Sequence, residues 1–249
     1  MSSNARNRAF WNAFSDEYQA EHGHVLSRTA MAWGVWRIPE SELKVLGDVE
    51  GRQVLELGCG AAQWTLGLHD RGASAVGIDL SEQQLAHARA AARSRPPAPG
   101  LVHGDAERLP FRSGAFDIVF CDHGAIAFAR PEVVVPEISR VLRSGGLCAL
   151  CMSTPIRDIC FDASANAVTR RLAGDYFRLS AFDDGSCVEY QLPYGAWVRL
   201  FRSQGLVVDD LIELRPPPHA STSFADFVPA SWAERWPAEH IWRLTKTDC

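Results

Sequence analysis

Several things are scarce in this chain, and each shortage removes a class of explanation. Lys44 and Lys246 are the only lysines among 25 basic residues, the rest being arginine. With abundant alanine, that bias points to a GC-rich coding sequence and says nothing about function. No apolar run approaches the roughly eighteen residues that span a bilayer, so no membrane partner is expected. Met1 to Phe10 is polar, carries two arginines and leads into no apolar stretch, so no secretory leader is predicted. Positive charge is not in excess either. A net charge of −5 argues against a phosphate-binding surface, hence against a nucleic-acid partner. Metal-ligand clusters are missing, since His22-Gly23-His24 has no third ligand nearby. The seven cysteines are odd in number and scattered. Cys148 and Cys151 form a C-x-x-C inside a strand-like run, where residues three apart face opposite ways, so they read as structural. A reducing, cytoplasmic location is the expectation. There is no internal repeat and no low-complexity tail.

What is present reads as an α/β protein. At 249 residues and 47% apolar, the chain can bury a core as one domain with length to spare. Ala5 to Glu21 carries Phe10, Trp11, Phe14 and Tyr18 on one face of an amphipathic helix that ends at His22-Gly23-His24. Pro39 starts a short helix to about Leu46. Alternating units follow: a strand from Gln53, a helix Ala61 to Arg71, and a strand Ser74 to Leu80. Ser81 then caps a helix through Ala92. Ser94 to Gly100 is a proline-rich loop. Strands are predicted at Leu101 to Asp105, Phe116 to Asp122 and Leu147 to Ser153, with a helix Pro131 to Arg143 and a turn at Gly145-Gly146. This alternation predicts a Rossmann-like, seven-stranded, mostly parallel sheet with helices on both faces. After Thr154 the rhythm breaks. Tyr176 to Phe182 and Cys187 to Leu192 read as a hairpin inserted at about 155–192. A helix Tyr194 to Gln204, a strand Leu206 to Leu214, an excursion from Pro216 to Pro237 and a last strand His240 to Lys246 complete the chain. Residues 1–52 are expected to form a helical lid on a domain of residues 53–249.

The stretch Val54-Leu55-Glu56-Leu57-Gly58-Cys59-Gly60 organises the rest. A buried strand meets two glycines and then a helix N-terminus, which lets backbone turn sharply and approach a ligand. Glu56 separates this turn from a dinucleotide site: it would repel a pyrophosphate and welcome a ligand with a free amino group. Three further features fall at successive strand ends, where open parallel sheets bind ligands. Asp79 is placed to accept from ribose hydroxyls. Asp105-Ala106 offers a carboxylate for an adenine amino group and an amide for a ring nitrogen. Cys121-Asp122-His123-Gly124 lies nearest the middle of the sheet.

With these residues the sequence resembles the class I S-adenosylmethionine-dependent methyltransferases. The resemblance is close from about Gln53 to Thr154, through VLELGCGAAQWTLGL, GIDLSEQQLAHAR, GDAERLPFRSGAFDIVFCD and EISRVLRSGGL. It implies S-adenosylmethionine as cofactor and S-adenosylhomocysteine as product. Glu56, Gly58 and Gly60 would hold the methionine part, Asp79 the ribose, and Asp105 with Ala106 the adenine, with Cys59 and Leu80 also binding the cofactor. Asp122 and Tyr18 would border the cofactor. Ala62 stands where the family often has a third glycine, and alanine is small enough for the turn to survive.

The acceptor side is read from fewer signals. His123 is a candidate general base or a residue that orients the acceptor. Tyr18, Trp33 and Trp36 would form a lid over the cofactor or pack in the core. Trp33, Trp36, Phe128 and Trp197 are candidate pocket residues, and the insert at Pro155 to Leu192 with the excursion at Pro216 to Pro237 would build the acceptor pocket. The expected function is methyl transfer to a small-molecule acceptor, an aromatic or heteroaromatic natural product of secondary metabolism. The absence of Asn-Pro-Pro-Tyr disfavours a nucleobase or protein-glutamine acceptor, and the lack of a metal-ligand cluster disfavours a metal-dependent catechol type. Oxygen, nitrogen and carbon acceptors stay open, as do monomer and homodimer. The rivals are a catalytically silent cofactor-binding protein and a nicotinamide-dependent oxidoreductase, which would have no use for Glu56 or Asp105.

Overall fold

Short β-branched and apolar runs separated by helices give the chain its central sheet. The computed structural model describes residues 2–248. Its main strands are β1 (Gln53–Leu57), β2 (Ser74–Asp79), β3 (Gly100–His103), β4 (Phe116–Asp122), β5 (Leu142–Ser153), β6 (Leu206–Leu214) and β7 (Glu239–Lys246). Their order across the sheet is β3-β2-β1-β4-β5-β7-β6. β1 to β5 pair in parallel, whereas β7 runs antiparallel between β5 and β6. The order reverses between β1 and β4, the switch point at which such sheets open a crevice. The seven-stranded, mostly parallel α/β architecture expected from sequence is therefore present.

The main helices are α1 (Ser3–Arg28), α2 (Gln63–His69), α3 (Glu82–Ala92), α4 (Pro131–Val141) and α5 (Tyr194–Ser203). Ser81 caps α3 by accepting from Gln84 N at 3.1 Å. Two apolar layers cover the sheet. One holds Trp33, Trp64, Phe120, Cys151 and Ile241; the other holds Leu55, Val119, Ile138, Cys148, Trp197 and Trp242. Cys148 and Cys151 thus face opposite layers, as strand alternation requires.

Some expectations need correction. α1 does not stop at His22-Gly23-His24 but continues to Arg28, closing with Thr29 N donating to Val25 O at 3.0 Å. A glycine inside a helix costs only about 1 kcal/mol, and His22 is held by stacking on Phe224 with ring centres 4.1 Å apart. The most buried residues of α1 are Asn7, Ser15 and His22, with the aromatic stripe only half-buried. Finally, β5 begins at Leu142 rather than Leu147: Leu142 pairs with Phe116, and a register shift follows beside Gly145, whose φ is 71°.

After β5 come a short helix, Pro155–Ile159, and a hairpin with strands Ala181–Asp183 and Val188–Tyr190. The expected first strand, Tyr176 to Phe182, opens instead with a 3-10 turn, Tyr176–Arg178, and pairs only from Ala181. The hairpin meets α1 directly. Arg6 forms a bidentate pair with Asp183, at 2.6 and 2.9 Å. The Asn7 carboxamide donates to Val188 O at 2.9 Å and to Phe128 O at 2.8 Å, and accepts from Val188 N at 2.8 Å.

Candidate functional site

The turns after β1, β2 and β4 converge on a cavity of about 420 Å³, within the range of small-molecule sites. Gly58 and Gly60 adopt φ of 70° and 53°, the left-handed region that favours glycine. A Cβ on Gly58 would lie 2.2 Å from Ala125 N, and one on Gly124 would lie 2.5 Å from Gly58 O. Backbone therefore touches backbone where the turns after β1 and β4 meet. Ala62 caps α2 with φ of 62°, so the turn does survive its missing glycine. A left-handed L-residue costs roughly 1–2 kcal/mol.

Carboxylates mark the ends of β1 and β2. Glu56 is buried against the cavity, and its Oε2 accepts from Thr65 N at 2.9 Å and Thr65 Oγ1 at 2.5 Å. Burial pushes its pKa up to about 8, more than the two Thr65 hydrogen bonds pull it down. Asp79 accepts from Gly60 N and Ser81 N, each at 2.8 Å, so it ties the glycine turn to the end of β2. Burial raises its pKa despite those bonds. Asp105 accepts from Asn4 Nδ2 at 2.6 Å and Glu107 N at 2.8 Å. Cys59, Leu80, Asp105, Ala106 and Tyr18 also line the cavity. Burial raises the Tyr18 phenol far above its usual value, so it stays neutral.

At the end of β4, Asp122 is already engaged. Its Oδ1 accepts from Gly34 N at 3.0 Å, and its Oδ2 from Trp64 Nε1 at 3.1 Å and Arg37 Nη1 at 3.3 Å. It anchors the segment before β1 as well as bordering the cavity. His123 follows, with φ of 50° and its Nε2 2.9 Å from Glu239 Oε2. Burial works against its proton, but the Glu239 hydrogen bond and the nearby Glu239 and Asp122 charges prevail and raise its pKa.

The structure brings together every cofactor residue predicted from sequence, but only one of the four predicted pocket residues. Phe128 lines the cavity and meets Trp11 edge-on at 5.2 Å. Trp33 is instead fully buried, packed on Trp64 and Phe120, with its indole donating to Glu40 at 2.6 Å. Trp36 lies in the same apolar layer. Trp197 is sealed on the opposite face of the sheet, stacked on Phe201 and donating to Gln191 at 2.7 Å. Their size suggested a pocket; their complete burial places them in the core.

The insert and the excursion do reach the cavity, through Arg157 and Glu189 and through Phe224 and Phe227, while Asn4, Asn7 and Arg37 line it with no signal in the sequence. The Arg157 guanidinium lies 4.5 Å from the Phe227 ring centre and pairs with Asp158 at 3.0 Å. Burial, chiefly, raises the pKa of the Glu189 carboxyl. A cluster absent from the sequence pattern also forms: Asp122, His123 and Cys151 bring possible ligand atoms within 4.8 Å of one another. Asp122 is already engaged by three donors, and Cys151 lies behind the cavity in the core with its thiol kept protonated by burial.

An open sheet with its crevice at the switch point, a glycine turn and a carboxylate at the next strand end define a nucleoside-cofactor domain of the Rossmann-like class. Known proteins make that class specific. Residues 55–150 match the family model described as a methyltransferase domain. The demethylmenaquinone methyltransferase of Staphylococcus aureus is 34% identical over 123 residues, covering 48% of this chain and 49% of its own length. The enzyme of the same name from Lactococcus lactis is 28% identical over 153 residues, 60% of this chain and 58% of its own. The chain thus matches about half the length of these relatives. An S-adenosylmethionine-dependent methyltransferase structure from Mesorhizobium loti superimposes with a TM-score of 0.67 at 19% identity, over 83% of this chain and 96% of that one. Residues 55–150 are thus similar to a methyltransferase domain, and the chain shares the fold of the S-adenosylmethionine-dependent methyltransferase from Mesorhizobium loti.

Proposed function

We propose that the whole chain is an S-adenosylmethionine-dependent methyltransferase acting on a small molecule with an aromatic or heteroaromatic ring. One observation carries the reading: buried Glu56 and half-buried Asp79 flank a backbone-lined turn of a cavity that His123 and Phe227 also line. The residues present suit the cofactor. The Glu56 carboxylate would meet its ammonium, Asp79 its ribose, and Asp105 with Ala106 its adenine. Asn4, which now donates to Asp105, would have to share that carboxylate. Bound there, the sulfonium supplies an electrophilic methyl. The chain's part is to align acceptor, methyl and sulfur and to keep water out, and such alignment is worth roughly 7–11 kcal/mol in well-oriented systems.

The rest of the cavity supports the acceptor class. Trp11, Phe128, Phe224 and Phe227 give it flat apolar walls, and Arg157, Glu189 and His123 add polar groups. A ring bearing polar substituents fits that mixture. Two relatives are named for methylating demethylmenaquinone, which accords with a ring acceptor. In this reading α1 and the hairpin act as a lid and a cap. No helix among the described residues is long and apolar enough to cross a membrane, and we place the enzyme in the cytoplasm.

Calorimetry with S-adenosylhomocysteine against NADH, on the wild type and on Asp79→Ala, tests the reading. Micromolar binding of the homocysteine compound, weakened at least tenfold in the variant, is the expected result; charge-assisted hydrogen bonds of about 1.5–3 kcal/mol set that scale. Preference for NADH would overturn it. Binding without methyl transfer to any ring acceptor in a broad screen would instead favour a silent cofactor-binding protein.

A further inference from the structure

Glu239 is a buried carboxylate that the cofactor reading does not use. It opens β7 and is completely shielded from solvent. Its Oε2 accepts from Val35 N at 2.7 Å and lies 2.9 Å from His123 Nε2, while its Oε1 has no hydrogen-bond partner. A buried carboxylate left unpaired is costly, and His123 is its only ion-pair partner among the described residues.

His123 is built to receive it. Its backbone is left-handed and fixed by its N–H donating to Cys151 O at 3.1 Å, and Phe227 meets its ring edge-on at 5.4 Å. With Nε2 turned to Glu239, the other ring nitrogen makes no hydrogen bond and is not among the buried polar atoms, on a residue that lines the cavity. One nitrogen is therefore held and the other is open.

We propose that Glu239 is the positioning residue of His123, holding the proton on Nε2 so that Nδ1 faces the cavity as a proton acceptor. This deepens, and rests on, the methyl-transfer reading. In the step, the acceptor's lone pair forms the new bond to the methyl carbon, and the carbon–sulfur pair stays on sulfur. The acceptor's O–H or N–H proton goes to Nδ1. The imidazolium formed is balanced by the Glu239 carboxylate. The acceptor atom is thereby one that carries a hydrogen before transfer, such as a phenol, an enol or a ring N–H.

The charged groups around the pair come from every neighbouring element. Asp122 stands beside it on β4, bound to Arg37; Arg157 approaches from the helix Pro155–Ile159, and Glu189 from the hairpin. His240, next along β7, is kept neutral by burial, which lowers its pKa to about 3.

The test is an imidazole NMR titration of the intact protein labelled with 15N-histidine, with His123→Asn used to assign the signal. In the wild type, neutral His123 should carry its proton on Nε2 and titrate above the usual histidine range. In Glu239→Gln the midpoint should fall by about one pH unit, the size expected when one close opposite charge is removed. An Nδ1–H tautomer in the wild type, or an unmoved midpoint in the variant, would overturn the proposal. If Glu239→Gln does not fold, the wild-type tautomer and midpoint decide alone. Calorimetry with S-adenosylhomocysteine on the same samples separates the two ideas. Failure to bind it strikes the methyl-transfer reading, whereas the titration reports on Glu239 whether or not cofactor binds.

Discussion

One part of the cavity is made of backbone turns from β1, β2 and β4, all within the stretch from Gln53 to Ala125. The rest of its wall is side chains from α1, which reaches over those turns to Asp105, from the helix Pro155–Ile159, the hairpin and the loop holding Phe224 and Phe227. The first part is local in sequence and fixed by steric rules at single positions, such as Gly58 against Ala125. The second part exists only when distant segments dock. A site can thus be half written in short motifs and half written in tertiary contacts.

The sharpest way to break this comparison is to damage the core behind the sheet without touching either part. Trp197→Ala should cost ~3–5 kcal/mol of stability, as truncation of a large buried aromatic does, while the folded fraction binds S-adenosylhomocysteine as before. Denaturant melts and calorimetry check this, and a selective loss of affinity would return Trp197 to the site. Gly58→Ala should have the next largest effect. Its added carbon meets backbone at 2.2 Å, so nothing flexible can yield. Cofactor affinity should fall at least a hundredfold, about 2.7 kcal/mol, with hydrogen exchange of the hairpin unchanged.

Asn7→Ala attacks the second part instead. It leaves Val188 N, Val188 O and Phe128 O without their partner, at a cost of about 1–3 kcal/mol for an unsatisfied buried group. Hydrogen exchange should rise in α1 and the hairpin while the amides of β1 and β2 stay protected. Uniform deprotection would show that the two parts are not separable.

The mildest effect is electrostatic. Below pH 8 Glu56 is protonated in the free protein, and an ammonium ligand needs it ionised. Binding should therefore release a proton, and affinity should climb by up to about tenfold per pH unit until pH 8, then level off. The free protein should show the opposite trend. Its native state holds that proton more tightly than the unfolded chain, so this carboxyl lowers stability as pH rises from the ordinary carboxylate range to 8. Calorimetry in buffers of differing ionisation enthalpy measures the proton directly; no release would mean that Glu56 does not meet the ligand's amino group.

What could be read in the sequence follows the same division. Strand ends, the glycine turn and the carboxylates after β1, β2 and β3 each announce themselves within a few residues, because strand, turn and helix cap obey local rules. Trp33, Trp36 and Trp197 sit in the core rather than the pocket, since size alone does not say whether an aromatic faces a cavity or a core. Glu239 carries no motif, and its link to His123 arises only because β7 inserts beside β5. Gly23 and its flanking histidines look like a helix stop, yet α1 runs on to Arg28 because Phe224 comes back to stack on His22.

The Asn7 carboxamide has a consequence for solubility. It offers a donor and an acceptor to the same residue, Val188, as the backbone of an adjoining strand would. One side chain thereby imitates a strand neighbour and fills the open edge of a short exposed ribbon. Open edges invite pairing with another copy of the chain. Here the protein carries its own stopper, delivered from a residue far away in sequence, and undocking α1 would uncover an adhesive edge as well as a cavity.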